Sequence, residues 1–261
     1  GSFDTADALG KRVAETRNPG LIQLALNKVM PSSRPWQEWD EEYISSITSG
    51  LKAHGVSVAI VGCYINPIHP DKEERKKEIE RFRKSLSLAS AFGCPYIGTE
   101  TGTANPSGGY SIRTSDPANL EILKESLSQM LEEAEKDNAY VAIEAVSRNH
   151  SASSPERMRN IIDSFRTDRL KVIFDPVNLI PYTGIPEKDG VPLQVPSEEA
   201  ESRFVREILD IYGDKLVAIH CKDYFLDPET GLKVGDIPAL TGVFRWKAFA
   251  EELHARSIDV P

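Results

Sequence analysis

Cysteine is scarce: the 261 residues contain three, and Cys63, Cys94 and Cys221 lie far apart with no C-x-x-C pair. That argues against a disulfide framework or a zinc knuckle and favours buried thiols in a reducing compartment. No apolar run approaches the roughly 20 residues of a membrane helix, and no cationic start leads into an apolar stretch. A cytoplasmic protein without a membrane partner is expected. Basic patches are also missing. The formal charge is −9, and Arg75, Lys76 and Lys77 are interleaved with Glu73, Glu74, Glu78 and Glu80. Nucleic acid and anionic membranes would be repelled by such a surface, so neither is expected as a partner. No G-x-G-x-x-G follows a strand-like run, which argues against a dinucleotide-binding sheet.

What is present is an alternation of short apolar runs with longer amphipathic ones, the pattern of repeated βα units around a parallel sheet. Strands are expected at 20–29, 56–65, 94–100, 140–146, 170–175 and 215–221. Helix starts are legible between them. Asp71 with Glu74 forms a capping box, and Asp116-Pro117 and Ser154-Pro155 each place a cap before a first-turn proline. Ile79, Phe82, Leu86 and Ala89, and Leu120, Leu123, Leu127 and Leu131, recur at helical spacing and supply faces to cover the sheet.

A helix at about 4–17 has no strand before it, six strand–helix units follow, and "SIDVP" at 257–261 reads as the opening of another strand. One strand restored at each end gives an α/β fold of the (β/α)8 TIM type, whose usual size is roughly 250 residues. The expectation is one such domain over 1–261, with the first strand and most of the last absent from this sequence. An open doubly wound sheet is the alternative and needs no closing strands. Two irregular segments, 176–196 and 222–241, follow strands and read as lids or walls on one rim.

Three successive strands end on a group able to bind metal: "VAI" before Glu144, "VIF" before Asp175 and "VAI" before His220. The C-terminal ends of barrel strands open on one face, where reactive groups gather. Alternation along each strand points Ala142, Ile173 and Ala218 inward with them, as a packed interior requires. Taken singly, Asp before Pro is a common turn former and a lone His is commonly structural; equivalence across three units favours a shared site. Two carboxylates and an imidazole suit Mn²⁺, Mg²⁺, Co²⁺ or Zn²⁺ without selecting among them.

Other rim candidates follow the same logic. Glu100 ends the neighbouring strand as a substrate contact or as a rim ion pair. His69 and His150 lie in loops where a hydroxyl could be bound. Lys222 shares the parity of His220 and could neutralise an anionic substrate, Asp223 could orient the imidazole, and Arg148 could meet a phosphate or carboxylate. Gln23 and Asn27 could point inward from the first strand toward hydroxyls.

At these residues the chain resembles the xylose isomerase-like TIM-barrel superfamily, in particular its sugar phosphate isomerase/epimerase family. The matching stretches are "IGTETGT", "VAIEAV" followed by "NHSASSPERM", "IFDPVNL", "VAIHCKDY" and "TGVFRWKAFAEEL". The resemblance spans essentially the whole chain. It implies a divalent metal held by Glu144, Asp175, His220 and a fourth ligand, a glutamate expected beyond Pro261, with Glu144 as one member of the acid/base pair. The family often has a histidine three residues after the strand-end aspartate. Asn178 stands there instead, able to hydrogen-bond a substrate but not to replace an imidazole as a base or ligand. With Asn178, five histidines and net negative charge, the function of the related abasic-DNA endonucleases is disfavoured.

The implied enzyme is a metal-dependent isomerase or epimerase of a small sugar or sugar phosphate, working by proton transfer through a metal-stabilised enediolate. Two alternatives stay open: a lyase that dehydrates a keto-inositol, and a non-catalytic sugar-binding barrel. Self-association into a homo-oligomer is left open as well.

Overall fold

Six apolar runs form parallel strands that pair in sequence order: β1 (Gly20–Leu24), β2 (Val56–Gly62), β3 (Tyr96–Glu100), β4 (Tyr140–Glu144), β5 (Leu170–Phe174) and β6 (Leu216–Ile219). The computed structural model describes residues 2–16 and 20–261. Helices α1 (Ala6–Thr16), α2 (Leu26–Val29), α3 (Glu41–Lys52), α4 (Lys72–Ser87), α5 (Ala89–Phe92), α6 (Pro117–Lys136), α7 (Pro155–Asp163), α8 (Pro176–Leu179), α9 (Glu198–Tyr212) and α10 (Trp246–Ala255) complete the parallel units. The sheet curls into a half-barrel of the TIM type. No described helix is long and apolar enough to cross a membrane.

Strand alternation builds two separate apolar layers. Ile60, Ala142, Ile173 and Ala218 cluster on the concave side, as the parity of the strand ends requires. Val141, Ile143, Val172 and Phe174 face outward and share the main core with Leu127, Met130, Ile161 and Ile208 of the helices. Gly98 of β3 lies on the concave side, where an added Cβ would come within 2.8 Å of Ile173 and 2.9 Å of Ile60. The interior is filled at that level, which leaves the strand ends above it as the mouth.

Two of the three expected caps form as bonded caps. Asp71 accepts from the backbone N–H of Glu73 at 2.8 Å and Glu74 at 3.1 Å, and Ser154 accepts from Arg157 N–H at 3.2 Å. Asp116 occupies its cap position without a side-chain cap bond. The first helix covers Ala6–Thr16, and residue 17 of the expected span lies outside the described residues.

The first strand is shorter than expected. Leu26–Val29 is a helical turn, with Val29 N–H donating to the Ala25 carbonyl at 3.0 Å. Short apolar runs carry too little periodicity to separate the end of a strand from a helical turn. Asn27 is therefore exposed on α2 rather than directed inward. The other five strands are each trimmed by one to three residues where pairing stops.

The segment 222–241 is not irregular: it holds an antiparallel hairpin of β7 (Lys222–Leu226) and β8 (Lys233–Pro238). Its turn is set by Asp227, which accepts from Glu229, Thr230 and the Thr230 hydroxyl, with Gly231 at φ 68°. Residues 257–261 form no assigned strand, although Ile219 N–H donates to the Pro261 carbonyl at 2.9 Å beside β6.

Candidate metal and catalytic site

Each of the three strand-end groups gains its position from the strand beneath it. Glu144 is the last residue of β4, while Asp175 and His220 directly follow β5 and β6. One ligand atom from each lies within 4.8 Å of the others. Glu144 and Asp175 are buried, at 5% and 1% exposure, and His220 is half-buried. A carboxylate taken out of water needs partners, and the structure supplies them.

Asp175 accepts from the Asn178 backbone N–H at 3.1 Å, and its second oxygen lies 3.0 Å from the Lys222 ammonium. Burial raises the Asp175 pKa, against which Lys222 acts as the chief counterweight. Lys222 also donates to the Asn178 side-chain carbonyl at 2.9 Å and to Asp236, so its three N–H donors are all engaged. Asn178 in turn donates its amide to Glu144 Oε1 at 3.2 Å and to the Ala145 carbonyl at 2.8 Å. Lys222 thus orients Asn178, and Asn178 orients Glu144.

His220 is fixed from two sides. Its Nε2 lies 2.7 Å from Gln23 Oε1, and its Nδ1 lies 3.0 Å from Glu144 Oε1. Gln23 donates its amide to the Tyr64 hydroxyl, which leaves its oxygen as the acceptor for His220 Nε2–H. In the neutral imidazole Nδ1 and Glu144 Oε1 are then both acceptors facing each other, an arrangement that a proton or a metal cation between them would satisfy. Burial alone would lower the His220 pKa; the hydrogen bond and charge of Glu144, with Asp175, outweigh it and raise it. The donor set of two carboxylate oxygens and one imidazole nitrogen fits a divalent ion.

Glu100 ends β3 directly beside Glu144 in the parallel ladder. It is solvent-exposed, yet desolvation by the surrounding protein, followed by the negative charge of Glu144, raises its pKa.

The sequence at 22–260 matches the family model of the xylose isomerase-like TIM barrel. The chain belongs to that family. No curated protein matches the sequence. Among solved structures, a xylose isomerase-like TIM barrel protein from Mycobacterium smegmatis in complex with magnesium is 16% identical, with a TM-score of 0.68 over 98% of this chain and 80% of that one. The 3-keto-D-glucoside 4-epimerase from E. coli is 14% identical, TM-score 0.67, over 99% of this chain and 86% of that one. A D-psicose 3-epimerase with D-tagatose from Clostridium cellulolyticum H10 is 14% identical, TM-score 0.66, over 97% and 76%. At these identities the likeness is one of fold.

Within this xylose isomerase-like barrel, the remaining residues singled out in the sequence fall into different places. Asp223 does not orient His220. Its carboxylate accepts from the backbone N–H groups of Tyr224, Leu240 and Phe244, fixing the return from the hairpin, while Gln23 and Glu144 hold the imidazole. The reason is parity: the residue after Lys222 on β7 points away from the mouth. Lys222 is bound within the site rather than presented to an anion. His69 Nδ1 accepts from Asp71 N–H at 3.2 Å and its Nε2 lies 3.3 Å from the Pro106 carbonyl, joining two rim loops. His150 is half-buried with Nδ1 unpartnered; burial lowers its pKa, opposed by a hydrogen bond to the Gly102 backbone.

The sequence reasoning missed Tyr64, Asp236 and Lys233. Tyr64 lies just past β2, where the same strand-end logic would have found it. Asp236 and Lys233 belong to the unrecognised hairpin. Lys233, 5% exposed, donates at 2.6 Å to both the Val177 and Ile180 carbonyls and so ties β8 to the segment after Asp175.

Burial pushes the Lys233 pKa from 10.5 down to about 8, with the Asp175 charge opposing and Lys222 adding. The unfolded chain therefore binds more protons between those two values, and Lys233 contributes stability that rises with pH across that window. The neutral amine still has two N–H donors for the two carbonyls. The stability of the native chain minus that of Lys233→Met is expected to grow from pH 8 toward pH 10, by an amount of order 3 kcal/mol if the whole window is crossed. Urea denaturation at several pH values measures it; a difference that is flat or shrinking would contradict the assignment.

Proposed function

We propose that the chain is a divalent-metal-dependent epimerase or isomerase of small sugars or their derivatives, with Glu144, Asp175 and His220 as metal ligands and Glu144 also moving the proton. The observation that carries this is the convergence of those three ligand atoms within 4.8 Å at the barrel mouth, with Glu144 held by Asn178. Family membership and the sugar epimerases of the same fold support it.

The bound ion would supply Lewis-acid polarisation of a carbonyl and stabilise charge as the neighbouring carbon loses its proton. The protein's own groups account for the rest. Both contacts to Glu144 fall on Oε1, and among the described residues no hydrogen bond reaches Oε2, which is the atom that takes and returns the proton. Asn178 and Lys222 keep that carboxylate from turning. Gln23 keeps the His220 Nδ1 lone pair directed into the site. Glu100, beside Glu144 at the end of β3, would contact a substrate hydroxyl. The β7–β8 hairpin and the segment after α8, joined by Lys233, would form the wall that limits water entry.

The test is proton exchange. Metal-free chain is incubated in D₂O with D-fructose, D-tagatose or their phosphates, with and without Mn²⁺, and followed by mass spectrometry and NMR. Metal-dependent entry of deuterium at carbon next to the carbonyl, with otherwise conserved mass, is the expected result. Loss of water would identify a lyase instead, and no exchange with any of these compounds at full metal loading would count against the proposal.

A further inference from the structure

Arg148 is held against two aromatic rings of the rim. Its guanidinium carbon lies 4.4 Å from the centre of the Tyr110 ring and 4.7 Å from that of Tyr182. The three residues come from three different loops, after β3, β4 and β5. Asn149 adds a hydrogen bond of 2.6 Å from its amide to the Tyr110 hydroxyl. Stacking uses the face of a guanidinium and leaves its edge N–H groups available. Among the described residues Arg148 has neither a hydrogen bond nor an ion pair, in contrast to Lys222, whose donors are all engaged.

The backbone supports a role for this side chain. Arg148 and Asn149 both lie in the left-handed region, at φ 58° and 54°. Glycine would adopt that conformation freely, whereas arginine does so at a conformational cost. Strain of this kind, held in place by surrounding contacts, marks candidate functional positions.

Distance also suits a role at the mouth. Arg148 follows Glu144 by four residues, which bounds their Cα separation at roughly 14 Å for a fully extended chain. Glu144, Asp175 and Glu100 gather negative charge at the strand ends, whereas Arg148, exposed in the loop after β4, has no ion-pair partner among the described residues. A small polyhydroxylated molecule with its carbonyl near Glu144 and long enough to span this separation would bring its far end to Arg148.

We propose that Arg148, stacked on Tyr110 and Tyr182, is an oxyanion subsite, so that the substrate carries a phosphate or carboxylate at the end remote from its carbonyl. The planar fork of N–H donors matches either group. This deepens the sugar-processing assignment of the mouth and rests on it for the word substrate; anion binding itself can be measured without any turnover.

The experiment is calorimetric titration of the EDTA-treated, metal-free chain with inorganic phosphate, with D-gluconate and with neutral D-glucitol. Native chain is compared with Arg148→Gln, Arg148→Lys and Tyr182→Leu, each checked for a native-like melting curve. At least one anion is expected to bind native chain about ten-fold or more tightly than Arg148→Gln, with Arg148→Lys and Tyr182→Leu between them. D-glucitol should not distinguish the variants. Phosphate preference would indicate a phosphorylated substrate, and gluconate preference a sugar acid. Equal anion affinity in native chain and Arg148→Gln, or no binding of either anion by native chain, would overturn the proposal. If anion binding holds but the D₂O experiment shows no exchange, the subsite stands and the assignment of the reaction fails.

Discussion

Replacing Glu144 by glutamine is expected to lower metal-dependent deuterium exchange by about 10²–10⁴-fold, the range that a positioned acid/base group contributes. The amide keeps the size of the carboxylate, so the barrel beneath it, with Ala142 and Ile173, is undisturbed. What it loses is the oxygen proposed to take up the proton and part of the charge facing His220 Nδ1. Substrate affinity should change less than turnover, since the lost interaction belongs mainly to the step that moves the proton. The rate of exchange at saturating Mn²⁺ measures this. A variant within a factor of about three of native chain would remove Glu144 from the proton-transfer role.

The largest loss of stability is expected from Phe174→Ala, at about 3–5 kcal/mol. Phe174 is fully buried, and its ring meets Tyr212 at 5.3 Å and Phe249 at 5.6 Å, both edge-on. Truncation leaves a cavity between β5, α9 and α10 that these aromatic neighbours fill poorly. Against a typical total of about 5–15 kcal/mol, the change removes a large share of the fold's stability. Because Asp175 is the next residue, a shifted end of β5 should also weaken metal binding. Urea denaturation of the metal-free protein reads the first effect; a loss below about 1 kcal/mol would show that β5 does not anchor this face of the barrel.

The three central residues were legible because their signal is local and repeated. Glu144, Asp175 and His220 each close a short apolar run, and alternation alone directs Ala142, Ile173 and Ala218 to the concave side where the structure has them. The cap at Asp71 was legible for the same reason, its partners lying two and three residues away, although the reciprocal half of the capping box does not form: the Asp71 N–H donates to His69 Nδ1 and Glu74 pairs with Lys77. Contacts that depend on where distant segments meet were not. Gln23 and His220 are separated by 197 residues, and nothing in either segment signals their pairing.

The hairpin illustrates a different limit. Its strands alternate only weakly, and proline and glycine nearby made 222–241 read as an irregular lid, so Lys233 and Asp236 went unnoticed. Asp223 was misplaced through the same omission, since its orientation follows from the strand it lies on. Asn178 needed both kinds of information. Its place three residues after Asp175 is visible in the sequence, but its service to Glu144 depends on Lys222, 44 residues later.

The most direct test is an equilibrium titration of the metal-free chain with Mn²⁺, comparing native protein with Asp175→Ala and His220→Ala. One ion per native chain is the expected stoichiometry. Each substitution should weaken binding by more than the roughly 10–100-fold that losing an outer hydrogen-bond partner costs. Unchanged affinity in both variants, or no binding by the native chain near neutral pH, would contradict a metal site built from Glu144, Asp175 and His220.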